Sequence, residues 1–210
     1  REQLVSGHRQ LEIVQAAKRT VEMKDSTAIV VPAGDYYQRG KTKDLLMGEL
    51  YRDTWRAPIE VPIINLAEEH GGLTPIKRGG GMQSKSLRLE APDGKQYVLR
   101  SIQKFPGTIL PTELQQTFAT DIIQDVISAS HPYASITVAP MADAAGVFHT
   151  NPKLVYLPDD TLLGPFRNEF ANLLCLYEER PDDDMRDMDS FGNSKKVESS
   201  SKVIEKVRED

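Results

Sequence analysis

The chain has 210 residues, a formal net charge of −5, 39% hydrophobic and 27% charged residues; this is the composition of a globular protein of one domain, or one and a half, with a real core. No apolar run approaches the roughly 18 residues of a membrane span, no charged-then-apolar leader opens the chain, and the acidic balance argues against a general nucleic-acid binder. The single cysteine, Cys175 in "FANLLCLYEE", excludes an internal disulfide framework and a Cys-rich zinc site, and it reads as a small buried hydrophobe.

An opening at Arg1 is expected of a chain processed or cut from something longer. Residues 1–26 read as an N-terminal helix or linker, with Leu11, Val14, Ala17 and Val21 at helical spacing. "STAIVVPAG" is a short β run ended by Pro32 and Gly34, and "DLLMGELYRDTW" predicts a short helix capped by Asp44. Pro58, Pro62 and Pro75 confine any following strand to an edge. "KRGGGMQSKSLRLEAPDGKQYVLRSIQK" (77–104) then sets three glycines between basic residues, followed by two alternating strands joined at Asp93-Gly94. Lys77, Arg78, Lys85, Arg88, Lys95, Arg100 and Lys104 gather there against only Glu90 and Asp93, and the alternation lets basic residues share a face.

"TELQQTFATDIIQDVISAS" predicts a helix with a capping box at Thr112 and Gln115. Its apolar stripe is Leu114, Phe118, Ile122, Val126 and Ala129, with Asp121 and Asp125 on the border. "YASITVAPMADAAGVFHT" and "PKLVYLPDD" predict two strands, and "PFRNEFANLLCLYEERP" a helix with Phe166, Phe170, Leu173 and Tyr177 on one side. The acidic stretch after Pro181 predicts a mobile loop to about residue 201, and "SKVIEKVRED" a last short helix. The expected fold is therefore α+β, an antiparallel sheet with packed helices, spanning 27–180 between the opening segment and an acidic tail, 181–210.

Among possible chemistries, a histidine-built zinc site is disfavoured, because His8, His70, His131 and His149 form no i,i+4 pair. Asp159-Asp160 and Asp182 to Asp184 read as solvated charge, and no G-x-S-x-G nucleophile elbow is present. His131-Pro132 reads as the end of a helix. Phosphate binding is the remaining signal. Glycines let backbone N–H groups converge on an anion, and Lys77, Arg78 and Lys85 flank them. The pattern is not a Walker loop; it matches a glycine-rich loop between two sheet strands, with a basic residue on a following strand and an acid from the next helix orienting it. "YVLR" sets Arg100 in that basic position, Lys85 is its rival, and Asp121, Asp125 and Glu113 are the acids on offer. A basic hairpin on the surface, gripping an acidic partner or anionic lipid head groups, is the alternative.

"GGLTPIKRGGGMQSKSLRL", "YVLRSIQK", "SASHPYASITVAPMADAAGV", "HTNPKLVYLPDD" and "FANLLCLYEERPDDD" resemble, over about residues 27–210, a segment of large bacterial proteins. In those proteins the segment looks like the start of an atypical kinase-like domain, of the class that includes the HipA-type kinases. It is often joined to a calcineurin-like metallophosphoesterase or a surface-antigen outer-membrane barrel. The resemblance implies a kinase-like N-lobe with the start of a second lobe, ATP with Mg as ligand, and an envelope-associated parent protein. Gly79, Gly80 and Gly81 would form the phosphate loop, Arg100 or Lys85 the strand base, and Asp159-Asp160 the start of the hinge. The nucleotide-binding set expected is Lys77, Arg78, Gly79, Gly80, Gly81, Lys85, Arg100, Asp121, Asp125 and Asp159. No H-R-D-x-x-x-x-N or D-F-G motif occurs, so the chain by itself is expected to bind a nucleotide without turning it over.

Overall fold

The structure, a computed structural model, describes residues 27–34, 45, 48, 50–80, 83–105, 122–123, 125–181 and 184–209. The expected opening helix, the 112–115 capping box, Asp44, Gly81 and Asp121 lie outside them.

Two antiparallel sheets form the frame. β1 (Ala28–Val31) pairs with β2 (Ile59–Pro62), and a five-stranded sheet runs in the order β3-β4-β5-β7-β6. Its strands are β3 (Thr74–Gly79), β4 (Ser84–Glu90), β5 (Gln96–Lys104), β6 (Lys153–Leu157) and β7 (Leu173–Glu179). The helices are α1 (Arg52–Arg56), α2 (Ala134–Ala144), α3 (Arg167–Phe170) and α4 (Ser200–Glu209). The α+β class expected from the sequence is therefore the observed one.

The hairpin forms where the turn chemistry requires it. β4 and β5 pair from Glu90↔Gln96 to Ser84↔Lys104. Between them Gly94 takes φ +82°, and the Asp93 carboxylate accepts the Lys95 N–H at 3.0 Å.

Side chains alternate across this sheet, and both of its faces are covered. One face carries Leu87, Leu89, Leu99, Val155 and Cys175 against Leu66, Leu163 and Phe170. The other carries Ile102, Tyr156 and Leu174 against Trp55, Val31, Val61 and Ile127. Leu87, Leu89 and Leu99 are fully buried, each contributing about 1.5–3 kcal/mol relative to exposure.

Three expectations are corrected. Residues 134–144 form α2 instead of a strand; Gly146, at φ +66°, ends it in a Schellman arrangement, with Val147 N–H donating to the Ala142 carbonyl and Gly146 N–H to that of Asp143. The segment expected as one helix from Pro165 breaks into a 3-10 turn (Thr161–Phe166), the short α3 and then β7, so Leu173 and Tyr177 lie on a strand. "LLCLY" fits either period, and burial on both faces settles it as a central strand. Near the end of the 112–130 segment, the expected stripe residues Ile122 and Val126 are exposed, whereas Asp125, Ile127 and Ser128 are buried.

Candidate functional site

The strand registers place Gly79, Ser86, Arg100, Leu176 and Leu154 in one row across five strands, on one face of the sheet. Arg100 thus stands two strand spacings, about 10 Å, from Gly79 and shares its face. Lys104, four residues further along β5, lies on that face too and donates from Nζ to Ser84 Oγ at 2.8 Å.

A cleft of about 380 Å³ opens on this face beside the β3–β4 turn. Arg100, Ile102 and Lys104 form its sheet side, Gln83 and Ser84 one end, Trp55 packs against it, and Ser130, His131, Pro132, Ala134 and Ser135 form the opposite wall. Trp55 Nε1–H donates to the Ser130 carbonyl at 2.8 Å and ties that wall to α1. No carboxylate is found among the described residues lining the cleft. Burial, and then the nearby Arg100 guanidinium, hold the Lys104 ammonium below its ordinary pKa.

Arg100 bonds from Nε to Glu178 Oε1 at 2.7 Å, and Thr150 Oγ1–H reaches the other oxygen of that carboxylate at 2.7 Å. The acid beside the strand base therefore comes from β7 and not, among the described residues, from the 112–130 segment. Asp125 is engaged elsewhere. It is buried and forms a two-pronged ion pair with buried Arg52, Nη2 to Oδ2 at 2.6 Å and Nε to Oδ1 at 3.2 Å.

The remaining expected residues divide by face. Lys85 lies on the opposite side of β4 from the cleft; its Nζ donates to the Glu169 carbonyl at 3.1 Å and stands 4.2 Å over the Phe105 ring. Burial is the main cause lowering its pKa. Arg78, on that same face, pairs with Glu169 Oε1 at 2.8 Å. Lys77 is exposed on edge strand β3, opposite Arg88. Asp159 follows β6 and holds Arg167 at 2.5 Å, which lowers its carboxyl pKa. Because β7 returns to the sheet after it, Asp159 lies within an inter-strand connection and not at an exit from the sheet.

The glycines have a local reason to be there. Gly80 takes φ +91°, and a Cβ on it would overlap the Ser84 carbonyl oxygen and come within 3.2 Å of Ser86 N. A Cβ on Gly79 would stand 3.0 Å from Ser86 Oγ. Both positions are cleared so that β3 and β4 can close on each other.

Lys104, His131, Ser84 and Glu178 are the site residues that motif reading passed over. The spacing of Arg100 and Lys104 along one strand was a usable signal, since an even separation keeps both on one face. Nothing local announced that His131, 27 positions beyond Lys104, closes the same cleft.

Comparison of the chain with protein-family models, with curated proteins and with solved structures gives no match.

Proposed function

We propose that this chain carries the phosphate- and nucleotide-binding lobe of a kinase-like domain within a larger, envelope-associated bacterial protein, with ATP and Mg as its ligand. The observation that carries the reading is the row in which Arg100 shares a face with Gly79 and opens onto a cleft lined by cations and hydroxyls. A three-strand meander β3-β4-β5 with glycines where β3 ends and the basic residue on its third strand, then α2 and two further strands, follows the order that such a lobe uses. In this reading Glu178 takes the orienting role for Arg100, in place of the acids of the 112–130 segment, Glu113, Asp121 and Asp125. The 210 residues contain no H-R-D-x-x-x-x-N or D-F-G motif, so the proposed role of this chain is binding. Among the described residues no helix is long and apolar enough to cross a membrane.

The other reading is an interaction module whose basic hairpin meets an acidic partner or anionic lipid. Exposed Lys77 on the edge strand favours it, while the ion pairs of Arg78 and Arg100 reduce what the hairpin offers.

A thermal-shift titration with Mg-ATP at two ionic strengths tests the proposal. Binding to the folded state raises Tm according to RT ln(1 + [L]/Kd). A shift with Mg-ATP that survives added salt and disappears in Arg100→Ala is expected. No shift at millimolar Mg-ATP overturns the nucleotide reading.

A further inference from the structure

We infer that the cleft between β5 and the start of α2, and not the glycine turn, is where a phosphoryl dianion binds, held by Arg100, Lys104, His131 and the first turn of α2. The inference rests on the phosphate-binding reading above and names the groups that hold the anion.

Several donors line the same cleft. Arg100 uses only Nε on Glu178, so both of its Nη nitrogens lack an acceptor among the described residues. Lys104 brings an ammonium to the same side. His131 Nδ1 accepts the Tyr133 N–H at 3.1 Å, which places the ring proton on Nε2 and makes that nitrogen a donor. In the first turn of α2, Ala134 N–H is satisfied by the His131 carbonyl and Ile136 N–H by that of Tyr133, while Ser135 N–H has no described acceptor. An 11-residue helix adds its positive end to two side-chain cations. The described lining of the cleft brings two side-chain cations and hydroxyl-bearing serines to one place, a donor set suited to an anion.

The geometry also favours a compact ligand group. At about 380 Å³ the cleft is near the lower end of the volumes that enclose a small molecule, enough for phosphoryl groups with the rest of a ligand extending outward. The Gly80 turn has less to offer. Gly80 itself stands close against Ser84 and Ser86, and two of the three cations flanking it, Arg78 and Lys85, converge on Glu169 on the other face.

The test uses the full chain with inorganic phosphate, Mg-ATP and adenosine as probes. Affinities are measured by calorimetry, and the His131 ring is followed by ¹H–¹⁵N correlation spectra. We expect phosphate to shift the His131 Nε2 resonance in the unmodified protein, a readout that needs no variant to fold. Lys104→Met and His131→Phe should each weaken both phosphate and Mg-ATP about tenfold, whereas Lys95→Met, on the hairpin turn, should bind as the parent does. Mg-ATP bound by the parent with equal affinity in Lys104→Met and His131→Phe, or lost in Lys85→Met instead, overturns the inference and leaves the nucleotide reading standing. Phosphate bound and lost in those two variants, with Mg-ATP binding no tighter than phosphate, supports the inference and ends the nucleotide reading. Adenosine binding as tightly as Mg-ATP overturns the inference, and no binding of any probe ends both.

Discussion

Asp125 and Arg52 show how far a residue's role lies from its local pattern. Asp125 sits on the border of a helical apolar stripe, which marks it for partial burial and an ion pair. Its partner is 73 positions away on α1, and Arg52 is the more deeply buried of the two, with a further bond from Nη1 to the Gly48 carbonyl. Two charges removed from water are tolerated here because both prongs of the guanidinium meet the carboxylate. Removing only one of them strips the other buried charge of this two-pronged ion pair. Asp125→Ala is therefore expected to lower stability by about 3–5 kcal/mol, measured by urea unfolding. The double replacement Arg52→Met with Asp125→Leu should recover most of that loss, since neither side then strands a charge. A double variant as unstable as Asp125→Ala would show that the pair is not the source. Asp125 was legible as a half-buried acid; its full burial and its partner were not, because no periodicity connects residues on separate elements.

At the scale of elements, α2 and β7 are where propensity and outcome separate. Ile136, Thr137 and Val138 favour a strand, yet the segment is helical and ends at Gly146, whose positive φ allows the two closing bonds. The chain leaving that helix is tied back to it. His149 Nε2 meets Asp143 Oδ1 at 2.9 Å while Nδ1 meets the Thr150 carbonyl at 2.7 Å. Both partners are acceptors, so both bonds together require the imidazolium. The Thr150 carbonyl, then the Asp143 carboxylate, accordingly raise the His149 pKa. A folded-state pKa raised above the unfolded value of about 6.5 gives a contribution fully present below that value and lost as pH rises through the folded one. An NMR titration should place the His149 midpoint above the ordinary value, and Asp143→Asn should move it back down. A midpoint at the unperturbed value in the parent protein would contradict the two-acceptor geometry. Because Thr150 also holds Glu178, this tie reaches the carboxylate that orients Arg100.

For the molecule as a whole, the five-stranded sheet is an inner layer, and β7 lies within it between β5 and β6. Cys175 on β7 has no exposed surface, and burial pushes its thiol up to about 12. Iodoacetamide at pH 8 should leave Cys175 unlabelled in the folded protein, with labelling in urea tracking global unfolding. Labelling well below the unfolding transition would mean that β7 opens by itself. The sequence alone determined the α+β class, the β4–β5 hairpin and the burial of Cys175. The hairpin follows from turn chemistry at Asp93-Gly94 and the two-residue period of its strands, and the burial of Cys175 from its apolar neighbours, short-range rules that need no knowledge of distant partners. Only the tertiary structure decided that "LLCLY" is a strand, that Lys85 and Arg100 face opposite layers, that Glu178 and not Asp125 meets Arg100, and that His131 closes the cleft. Those outcomes depend on which surfaces are covered and which charges meet across 73 or 78 positions of chain, and burial and pairing are properties of the packed molecule.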